Sequence, residues 1–311
     1  MNNIYGDYNY SKITLGTVQL GMNYGINNQD GQPSLERANR ILDQAVAEGI
    51  NVFDSSVDYS TSEKIVGDYF KQKKDKPLIV TKFSIDDYKS NLTEKEIEKI
   101  IYNQVETSLN NLGYEKLPLL LTHDEMDIEY YGDTIIKVLK KMQQENMVFK
   151  VGASLNHFSY VGKVLGYDFF EAVQLPLNLF NVKDAMGKDI AQLRKNGIKV
   201  FIRSVYLQGL FFKDVKTFPE TGVLSKAKEP VLRLQNIAKE LGISVEQLAF
   251  SFIRDIKGIT SLVLGAEKPE QVLANAKLLK APTLSKQVKD LICESFIDVD
   301  RDIISSWLWN K

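Results

Sequence analysis

The chain has 311 residues and a formal net charge of −1, with 44% hydrophobic and 25% charged residues. These values are typical of globular proteins, and the near-neutral charge argues against a protein that binds nucleic acid through a basic surface. The single cysteine, Cys293, excludes an internal disulfide, so a reducing, cytoplasmic setting is the simplest expectation. The N-terminal stretch MNNIYGDYNYSK is polar and no apolar run reaches about 20 residues, so we expect neither a secretory signal nor a membrane span.

Short apolar runs alternate with longer amphipathic runs along the chain. The short runs are rich in Val, Ile, Leu and Phe, as expected for strands that are buried on both faces of a parallel sheet. The predicted strands lie at residues 13–19, 51–56, 78–83, 117–124, 150–155, 172–178, 199–205 and 261–266.

The amphipathic runs between the strands predict helices. The first run begins with a Ser cap and ends at Gly49, both of which are typical of helix ends. The predicted helices lie at residues 34–49, 93–113, 133–146, 184–197, 244–256 and 268–280, with another at 229–242 inside the long segment 207–243. Strands that are each followed by a helix predict a single α/β domain over residues 1–311, a (β/α)8 TIM barrel. We expect extra helices in the segment between the seventh and eighth strands and at the C-terminus.

Four polar side chains lie at or just after the ends of consecutive predicted strands. Asp54 ends the second strand, and Tyr59 follows it in the next loop. Lys82 ends the third strand, and His123 ends the fourth. In such a barrel the chemistry takes place at the C-terminal ends of the strands. Each side chain alone also has a structural explanation, such as a stabilising ion pair, but the set of four favours a catalytic site.

These residue types predict general acid–base catalysis by Tyr59. A free phenol has a pKa of about 10, and a cationic Lys82 beside it is expected to lower this pKa by stabilising the phenolate. Asp54 is expected to keep Lys82 charged, and His123 is expected to donate a hydrogen bond to the substrate oxygen. This chemistry suits a carbonyl that gains a hydride or an alcohol that loses one.

The segment FDSSVDYSTSEKIVG (53–67) resembles the signature of aldo-keto reductases, in which Asp and Tyr are five residues apart. The family's Lys in a "TK" strand end matches Lys82, and its His matches His123. The resemblance extends from LGTVQLG (15–21) to LGAEKPEQVLANA (264–276). It implies a barrel enzyme that uses NAD(P)H to interconvert a carbonyl and an alcohol.

The resemblance also implies a nicotinamide cofactor in an extended form across the barrel rim. No GxGxxG motif follows a predicted strand, so a Rossmann domain is not indicated. Ser154 and Gln174 match the residues that bind the carboxamide, and the loop 204–210 matches the one that covers the pyrophosphate. The implied cofactor-binding residues are Gly16, Thr17, Ser154, Gln174, Arg203, Ser204, Leu207, Gln208, Gly209, Gly265, Lys268, Gln271 and Asn275.

Two departures from the family pattern lie near the nicotinamide. Leu155 replaces the Asn that follows the carboxamide Ser. Arg203 replaces the aromatic residue that stacks on the nicotinamide. A planar guanidinium can stack on a ring, and pairing of Arg203 with a carboxylate is the open alternative.

Further departures lie at the adenosine end. Gln271 replaces the Arg that usually binds the 2′-phosphate, and Gly265 replaces the usual Lys. Glu267 would repel a 2′-phosphate, whereas Lys268, or the first turn of the helix at 268–280, could still bind it. NADPH is therefore favoured, and NADH is possible.

The substrate pocket is expected to be polar. The stretch GMNYG (21–25) places Asn23 and Tyr24 near the catalytic residues, and Trp307 in the C-terminal tail either walls the pocket or packs on the outside of the barrel. A sugar or a small hydroxylated aldehyde or ketone fits such a pocket. Two histidines and one cysteine, far apart in the sequence, predict no metal site.

Two alternatives to a reductase remain open from the sequence. One is a reductase-like regulatory or binding subunit that holds the cofactor without significant turnover. The other is a non-redox barrel enzyme, such as an isomerase, that uses the Lys–Asp pair. The sequence indicates neither the oligomeric state nor the physiological direction of the reaction.

Overall fold

The computed structural model describes residues 8–28, 30–88 and 90–309, apart from the side chain of Trp307. Its strands are β1 (Ile13–Gly16), β2 (Val52–Asp54), β3 (Leu78–Phe83), β4 (Leu117–Thr122), β5 (Val148–Ser154), β6 (Ala172–Pro176), β7 (Lys199–Arg203) and β8 (Ser261–Gly265). They form a closed barrel in which each strand runs parallel to the next and β8 pairs with β1. The predicted (β/α)8 TIM barrel is confirmed.

Helices connect the strands and continue into the C-terminal tail. They are α1 (Val18–Gly21), α2 (Leu35–Ala47), α3 (Ser62–Phe70), α4 (Glu94–Leu112), α5 (Glu125–Gln144), α6 (Val161–Gly166), α7 (Val182–Ala185), α8 (Asp189–Lys195), α9 (Val223–Lys226), α10 (Lys228–Glu240), α11 (Val245–Arg254), α12 (Pro269–Leu278), α13 (Lys286–Phe296) and α14 (Arg301–Ile304). The extra helices expected between the last two strands and in the tail are α9, α10, α13 and α14. Among the helices that the structure describes, none is long and apolar enough to cross a lipid bilayer.

Some helices differ from the predicted ones. Helix α5 begins at Glu125, well before the predicted start at residue 133, because the side chain of Asp124 caps its N-terminus by accepting a hydrogen bond from a backbone N–H. The predicted helix 184–197 is divided into α7 and α8, with Gly187 between them. Helices α3 and α6 were not predicted, since they have only 9 and 6 residues, which is too short for a clear apolar periodicity.

The inside of the barrel is filled by its own apolar cluster. Residues of several strands form this cluster: Val52, Leu78, Val80, Leu119, Leu121, Ala172 and Phe201. Tyr8 and Tyr10 pack against it, and the rings of Tyr10 and Phe201 meet edge to face at 5.8 Å. The interior is therefore a packed core rather than a pore, and it supports the polar layer that lies beyond it toward the C-terminal ends of the strands.

Candidate active site

The alternation of side chains along the strands decides which residues reach the mouth of the barrel. Successive strand residues point to opposite faces, and on β3 Leu78 and Val80 belong to the interior cluster, so Lys82 points inward as well. The register extends this inner layer, because Gly16 pairs with Asp54 and Ser154 pairs with Gln174. The strand-end residues that the sequence singled out therefore lie in one polar layer.

Lys82 and Asp54 form a buried ion pair at the base of the site. The Lys82 Nζ donates to Asp54 Oδ1 at 2.9 Å, to Asp54 Oδ2 at 3.0 Å and to the Ser55 carbonyl oxygen at 2.7 Å. The two side chains are only 1% and 7% exposed. Burial lowers the pKa of Lys82, and the Asp54 carboxylate acts in the opposite direction. Three acceptors around one ammonium group favour its charged form.

Tyr59 lies above this ion pair, but its hydroxyl contacts a different group. The Lys82 Nζ is 5.1 Å from the centroid of the Tyr59 ring, whereas the Tyr59 hydroxyl oxygen lies 3.4 Å from Nε2 of His123. Burial raises the pKa of Tyr59, and the nearby Asp54 carboxylate raises it further. The expected net lowering of this pKa is therefore wrong, because burial and the Asp54 carboxylate outweigh the charge of Lys82, which directs its hydrogen bonds to Asp54 and Ser55.

His123 is held through its backbone and through both of its ring nitrogens. Its backbone N–H donates to the Phe83 carbonyl oxygen at 2.8 Å. Its Nδ1 lies 2.9 Å from Oδ2 of Asp58, and its ring meets that of Tyr59 edge to face at 5.6 Å. The sequence analysis missed Asp58, although an acidic residue beside Tyr59 in a polar turn was a signal that could have identified it.

The loop that carries Tyr59 is clamped by hydroxyl groups. Thr17 Oγ1 donates to the Asp54 carbonyl oxygen at 2.8 Å, and Ser62 Oγ donates to the Thr17 carbonyl oxygen at 2.9 Å. A Cβ atom added at Gly21 would lie 2.1 Å from the Tyr59 carbonyl oxygen. A glycine is therefore required for α1 to approach this loop, and the Thr17 side chain supports the loop.

Ser154 and Gln174, the predicted carboxamide ligands, lie side by side across β5 and β6. Both are 1% exposed. Gln174 Nε2 donates to Asp54 Oδ1 at 2.7 Å. The amide of Gln174 therefore joins the predicted cofactor site to the ion pair beneath Tyr59.

Two glycines face each other where β1 meets β8. Gly16 pairs with Gly265, and neither carries a side chain that could cover the strand ends. A Cβ atom added at Gly265 would lie 2.2 Å from Oε1 of Gln19. That oxygen is buried and has no hydrogen-bond partner among the described residues. Gln19 was not predicted as a site residue.

Arg203 binds an amide and a backbone carbonyl. Its Nη2 donates to Oδ1 of Asn156 at 2.5 Å and to the Leu155 carbonyl oxygen at 3.2 Å. Asn156 Nδ2 in turn donates to Oδ2 of Asp124 at 2.8 Å. The carboxylate pairing considered for Arg203 is therefore indirect and passes through Asn156.

The loop after β7 has an unusual backbone and is tied to two other segments. Positive φ angles occur at Ser204 (63°), Leu207 (48°), Gln208 (52°) and Gly209 (89°). The Gln208 carbonyl oxygen accepts the Ile26 N–H at 3.2 Å. Gln208 Nε2 donates to Ser306 Oγ at 3.0 Å, and the Gly209 carbonyl oxygen accepts from Asn27 at 2.6 Å. The four predicted pyrophosphate-loop residues thus lie between the β1 loop and the C-terminal tail.

At the predicted adenosine end, two of the implied ligands have structural partners. Oε1 of Gln271 accepts the N–H groups of Glu267 at 2.7 Å and Lys268 at 3.2 Å, which caps the N-terminus of α12. Oδ1 of Asn275 accepts the Tyr206 hydroxyl at 3.0 Å. Gln271, which occupies the position where the family usually has an arginine, therefore caps a helix in this chain.

Lys268 shares a carboxylate with a second cation. Its Nζ lies 3.5 Å from Oδ2 of Asp30, and Arg37 Nη1 lies 3.1 Å from the same oxygen. The Lys268 ammonium is the largest cause that holds the pKa of Asp30 below its ordinary value. A cleft of about 600 Å³ lies beside these residues, between α2 and α12. The predicted phosphate ligand is therefore already paired with an acid.

The predicted substrate residues differ in their surroundings. Tyr24 lies within the electrostatic influence of Tyr59 and Arg203, and burial of its hydroxyl end raises its pKa. Oδ1 of Asn23 accepts the backbone N–H of Gln32 at 2.7 Å, so Asn23 stabilises its own loop. The side chain of Trp307 lies outside the described part of the structure. Among the described residues, no group of three or more His, Cys, Asp or Glu side chains is arranged to hold a metal ion.

Comparisons with known proteins agree on one family. Residues 12–295 match the model of the Aldo/keto reductase family. The aldo-keto reductase YhdN of Bacillus subtilis (strain 168) is 25% identical over 300 residues, which cover 90% of this chain and 88% of that protein. The L-glyceraldehyde 3-phosphate reductase of Escherichia coli O157:H7 is 24% identical, with 91% of each chain covered. A solved aldo-keto reductase from Bacillus halodurans, in its holo form, has a TM-score of 0.74 at 17% identity and 93% coverage of each chain.

Proposed function

Because the chain belongs to the aldo/keto reductase family, as the match over residues 12–295 shows, we propose that it reduces the carbonyl group of a small polar aldehyde, ketone or sugar with NADPH, or catalyses the reverse oxidation. Tyr59 is the general acid in reduction and the general base in oxidation. The observation that carries this proposal is the contact of the Tyr59 hydroxyl with His123, directly above the buried Asp54–Lys82 ion pair.

The protonation state of Tyr59 suits a general acid in the reduction. Burial raises its pKa, so the phenol is protonated at neutral pH and ready to donate a proton to a carbonyl oxygen. The phenolate that remains lies above the Lys82 ammonium, whose charge stabilises it through space. Asp54 keeps that ammonium charged and in place. The Lys82 charge thus offsets part of the cost of forming a buried phenolate beside Asp54.

The residues at the barrel mouth fit an extended nicotinamide dinucleotide. Ser154 and Gln174 present a hydroxyl and an amide side by side, which suits a carboxamide with one donor and one acceptor group. Gly16 and Gly265 leave the backbone open between β1 and β8, and the buried Oε1 of Gln19 can accept a hydrogen bond from a sugar hydroxyl. When bound, the cofactor supplies or accepts the hydride.

A small, hydroxylated substrate fits the polar side chains around Tyr59. Tyr24 and Arg203 lie within the electrostatic range of each other and of Tyr59, and Arg203 is hydrogen-bonded to Asn156. The related Escherichia coli protein is named an L-glyceraldehyde 3-phosphate reductase. We therefore propose a short polyol or sugar aldehyde, with or without a phosphate, as the substrate class.

A cofactor titration followed by turnover assays tests the proposal. Fluorescence titration with NADPH and NADH should show tight binding of at least one of them, and glyceraldehyde, its 3-phosphate and aldose sugars form a first substrate panel. Binding with turnover supports the reductase. Binding without turnover of any carbonyl would favour the regulatory subunit, and absence of cofactor binding would favour a non-redox barrel enzyme.

A further inference from the structure

Asp58 contacts the side of the His123 ring that faces away from Tyr59. Its Oδ2 lies 2.9 Å from Nδ1 of His123, while Nε2 of the same ring lies 3.4 Å from the Tyr59 hydroxyl oxygen. The three residues therefore form a continuous chain of hydrogen-bonding groups. Asp58 and Tyr59 are adjacent in sequence, so one loop provides both ends of this chain.

The Asp58 carboxylate is fixed by hydroxyl groups from two loops. Ser84 Oγ, after β3, donates to Oδ2 of Asp58 at 3.2 Å, and Ser56 Oγ donates to the same oxygen at 3.4 Å. The hydrogen bond from His123 is the largest cause that holds the pKa of Asp58 below its ordinary value, and burial acts in the opposite direction. Asp58 is thus ionised at neutral pH.

An ionised carboxylate accepts hydrogen bonds and donates none. Nδ1 of His123 must therefore carry a proton whenever it is bonded to Asp58. Nε2 is then an unprotonated acceptor in the neutral ring and a donor in the imidazolium ion. To donate a hydrogen bond from Nε2, as the sequence led us to expect, His123 must be the imidazolium ion.

We propose that Asp58 is a positioning residue that keeps a proton on Nδ1 of His123 and thereby makes Nε2 the group that returns a proton to Tyr59 after each reduction. This inference rests on the proposed reductase function. It also explains why the Tyr59 hydroxyl lies against an imidazole while Lys82 bonds elsewhere. Since the side chains of His123 and Asp58 are 25% and 42% exposed, the imidazole has access to water.

The proton balance of this step is simple. In reduction, the O–H bond of Tyr59 breaks, and its proton binds to the substrate oxygen. The Nε2–H bond of the imidazolium then breaks, and a new O–H bond forms on the Tyr59 phenolate. His123 is left neutral, with its Nδ1–H still hydrogen-bonded to Asp58, and Nε2 takes a proton from solvent. Oxidation runs the same transfers in reverse.

Nitrogen NMR of the imidazole rings tests the position of the proton without cofactor or substrate. The chain has two histidines, so a His157→Gln variant assigns both sets of ring signals. We expect the neutral form of wild-type His123 to be protonated on Nδ1, and Asp58→Asn to shift the population toward Nε2–H. Wild-type His123 with Nε2–H, or an unchanged tautomer in Asp58→Asn, would overturn the inference. The wild-type spectrum alone is decisive if the variant does not fold.

Kinetics separate proton return from a merely structural effect. We expect Asp58→Asn to slow steady-state reduction about 10- to 100-fold, but to slow the first turnover less, because Tyr59 begins that turnover protonated. Equal slowing of both phases would contradict proton return through His123.

The matched control is Asp86→Asn. Asp86 is exposed and also accepts from Ser84 Oγ, at 3.2 Å, but is not part of the His123 chain. We expect it to leave the tautomer and both kinetic phases unchanged, and an effect equal to that of Asp58→Asn would count against the inference. If wild type reduces no carbonyl while NMR finds the Nδ1 proton, the reductase proposal fails although the Asp58–His123 geometry is correct.

Discussion

The ammonium group of Lys82 lies 5.1 Å from the centroid of the Tyr59 ring, while its hydrogen bonds go to Asp54 and Ser55. Lys82 therefore acts on the phenol through its charge and not through a hydrogen bond to the hydroxyl. The direct partner of that hydroxyl is His123. Lys82 and His123 thus contact Tyr59 in different ways: the charge of Lys82 lies beneath the ring, and the imidazole that we propose to return the proton lies against the hydroxyl.

Removal of the Lys82 charge should affect both stability and turnover. Lys82→Met leaves the Asp54 carboxylate buried without its counter-ion, which is expected to cost about 3–5 kcal/mol in the free energy of unfolding. The double variant Asp54→Asn, Lys82→Met should recover much of this stability but not the turnover. Urea unfolding and single-turnover rates measure the two effects. Lys64→Met, which breaks an exposed pair with Asp68, is the control and should cost about 1 kcal/mol or less.

Recovery of turnover in the double variant would contradict the role of Lys82. It would mean that the ion pair is structural and that Tyr59 works without a cation beneath its ring. Loss of turnover together with recovered stability would instead separate the electrostatic contribution of Lys82 from its contribution to folding.

The Tyr59→Phe variant tests the general acid directly. It removes one hydroxyl and keeps the ring, so the fold and the affinity for the cofactor should be preserved. Loss of the proton donor should slow reduction by about 10²- to 10⁴-fold. Tyr69→Phe is the control, since its hydroxyl bonds to Asp43 at an exposed position. A Tyr59→Phe variant that keeps most of its activity would leave the isomerase alternative in place.

The sequence predicted which residues meet at the ends of the strands, but it did not predict the contacts that the loop residues make. Asp54, Lys82 and His123 follow apolar runs whose two-residue alternation and parallel order fix where the side chains meet. Asp58 and Tyr59 lie in a loop, and their contacts depend on a backbone path that no periodic pattern encodes. The same limit explains the error about the Tyr59 pKa, because the three acceptors around Lys82 include a loop carbonyl.

Helix ends are a second limit on what the sequence could predict. Gln271 was interpreted as a changed phosphate ligand, but it caps α12 by accepting two backbone N–H groups. The side chain of Asp124 caps α5, so this helix begins earlier than the apolar pattern predicted. A cap depends on one side chain that turns back onto its own backbone, so the residue type alone does not distinguish it from a ligand.

A buried acid near the site should make stability depend on pH. Asp127 accepts the Ile85 N–H and the Tyr88 hydroxyl, both at 3.0 Å, and burial raises its pKa to about 7. In the unfolded chain an Asp has a pKa of about 3.9, so between about pH 4 and 7 the folded state binds the extra proton. Stability from this group therefore falls as the pH rises through that range and is constant above it.

Asp127→Asn should remove this dependence, because the amide oxygen can still accept both hydrogen bonds but carries no charge. The variant should gain stability relative to wild type as the pH rises, by about 2–4 kcal/mol near pH 8. Chemical unfolding at a series of pH values measures this. Asp133→Asn, an exposed acid on the same helix, is the control. A constant difference between Asp127→Asn and wild type at all pH values would show that Asp127 does not titrate in this range.

The cofactor preference should depend on how Asp30 competes for Lys268. Asp30 lies 3.5 Å from the Lys268 ammonium and 3.1 Å from Arg37, so a 2′-phosphate must bind where a carboxylate already neutralises part of the positive charge. Lys268→Ala should weaken NADPH binding about tenfold, or about 1.4 kcal/mol, with little effect on NADH. Asp30→Asn should strengthen NADPH binding several-fold, because both cations are then available.

The control is Lys286→Ala, which removes an exposed lysine paired with Asp290 and should change neither the NADPH nor the NADH dissociation constant. Fluorescence titration gives the dissociation constants, and an unchanged NADPH constant in Lys268→Ala would exclude Lys268 as the phosphate ligand.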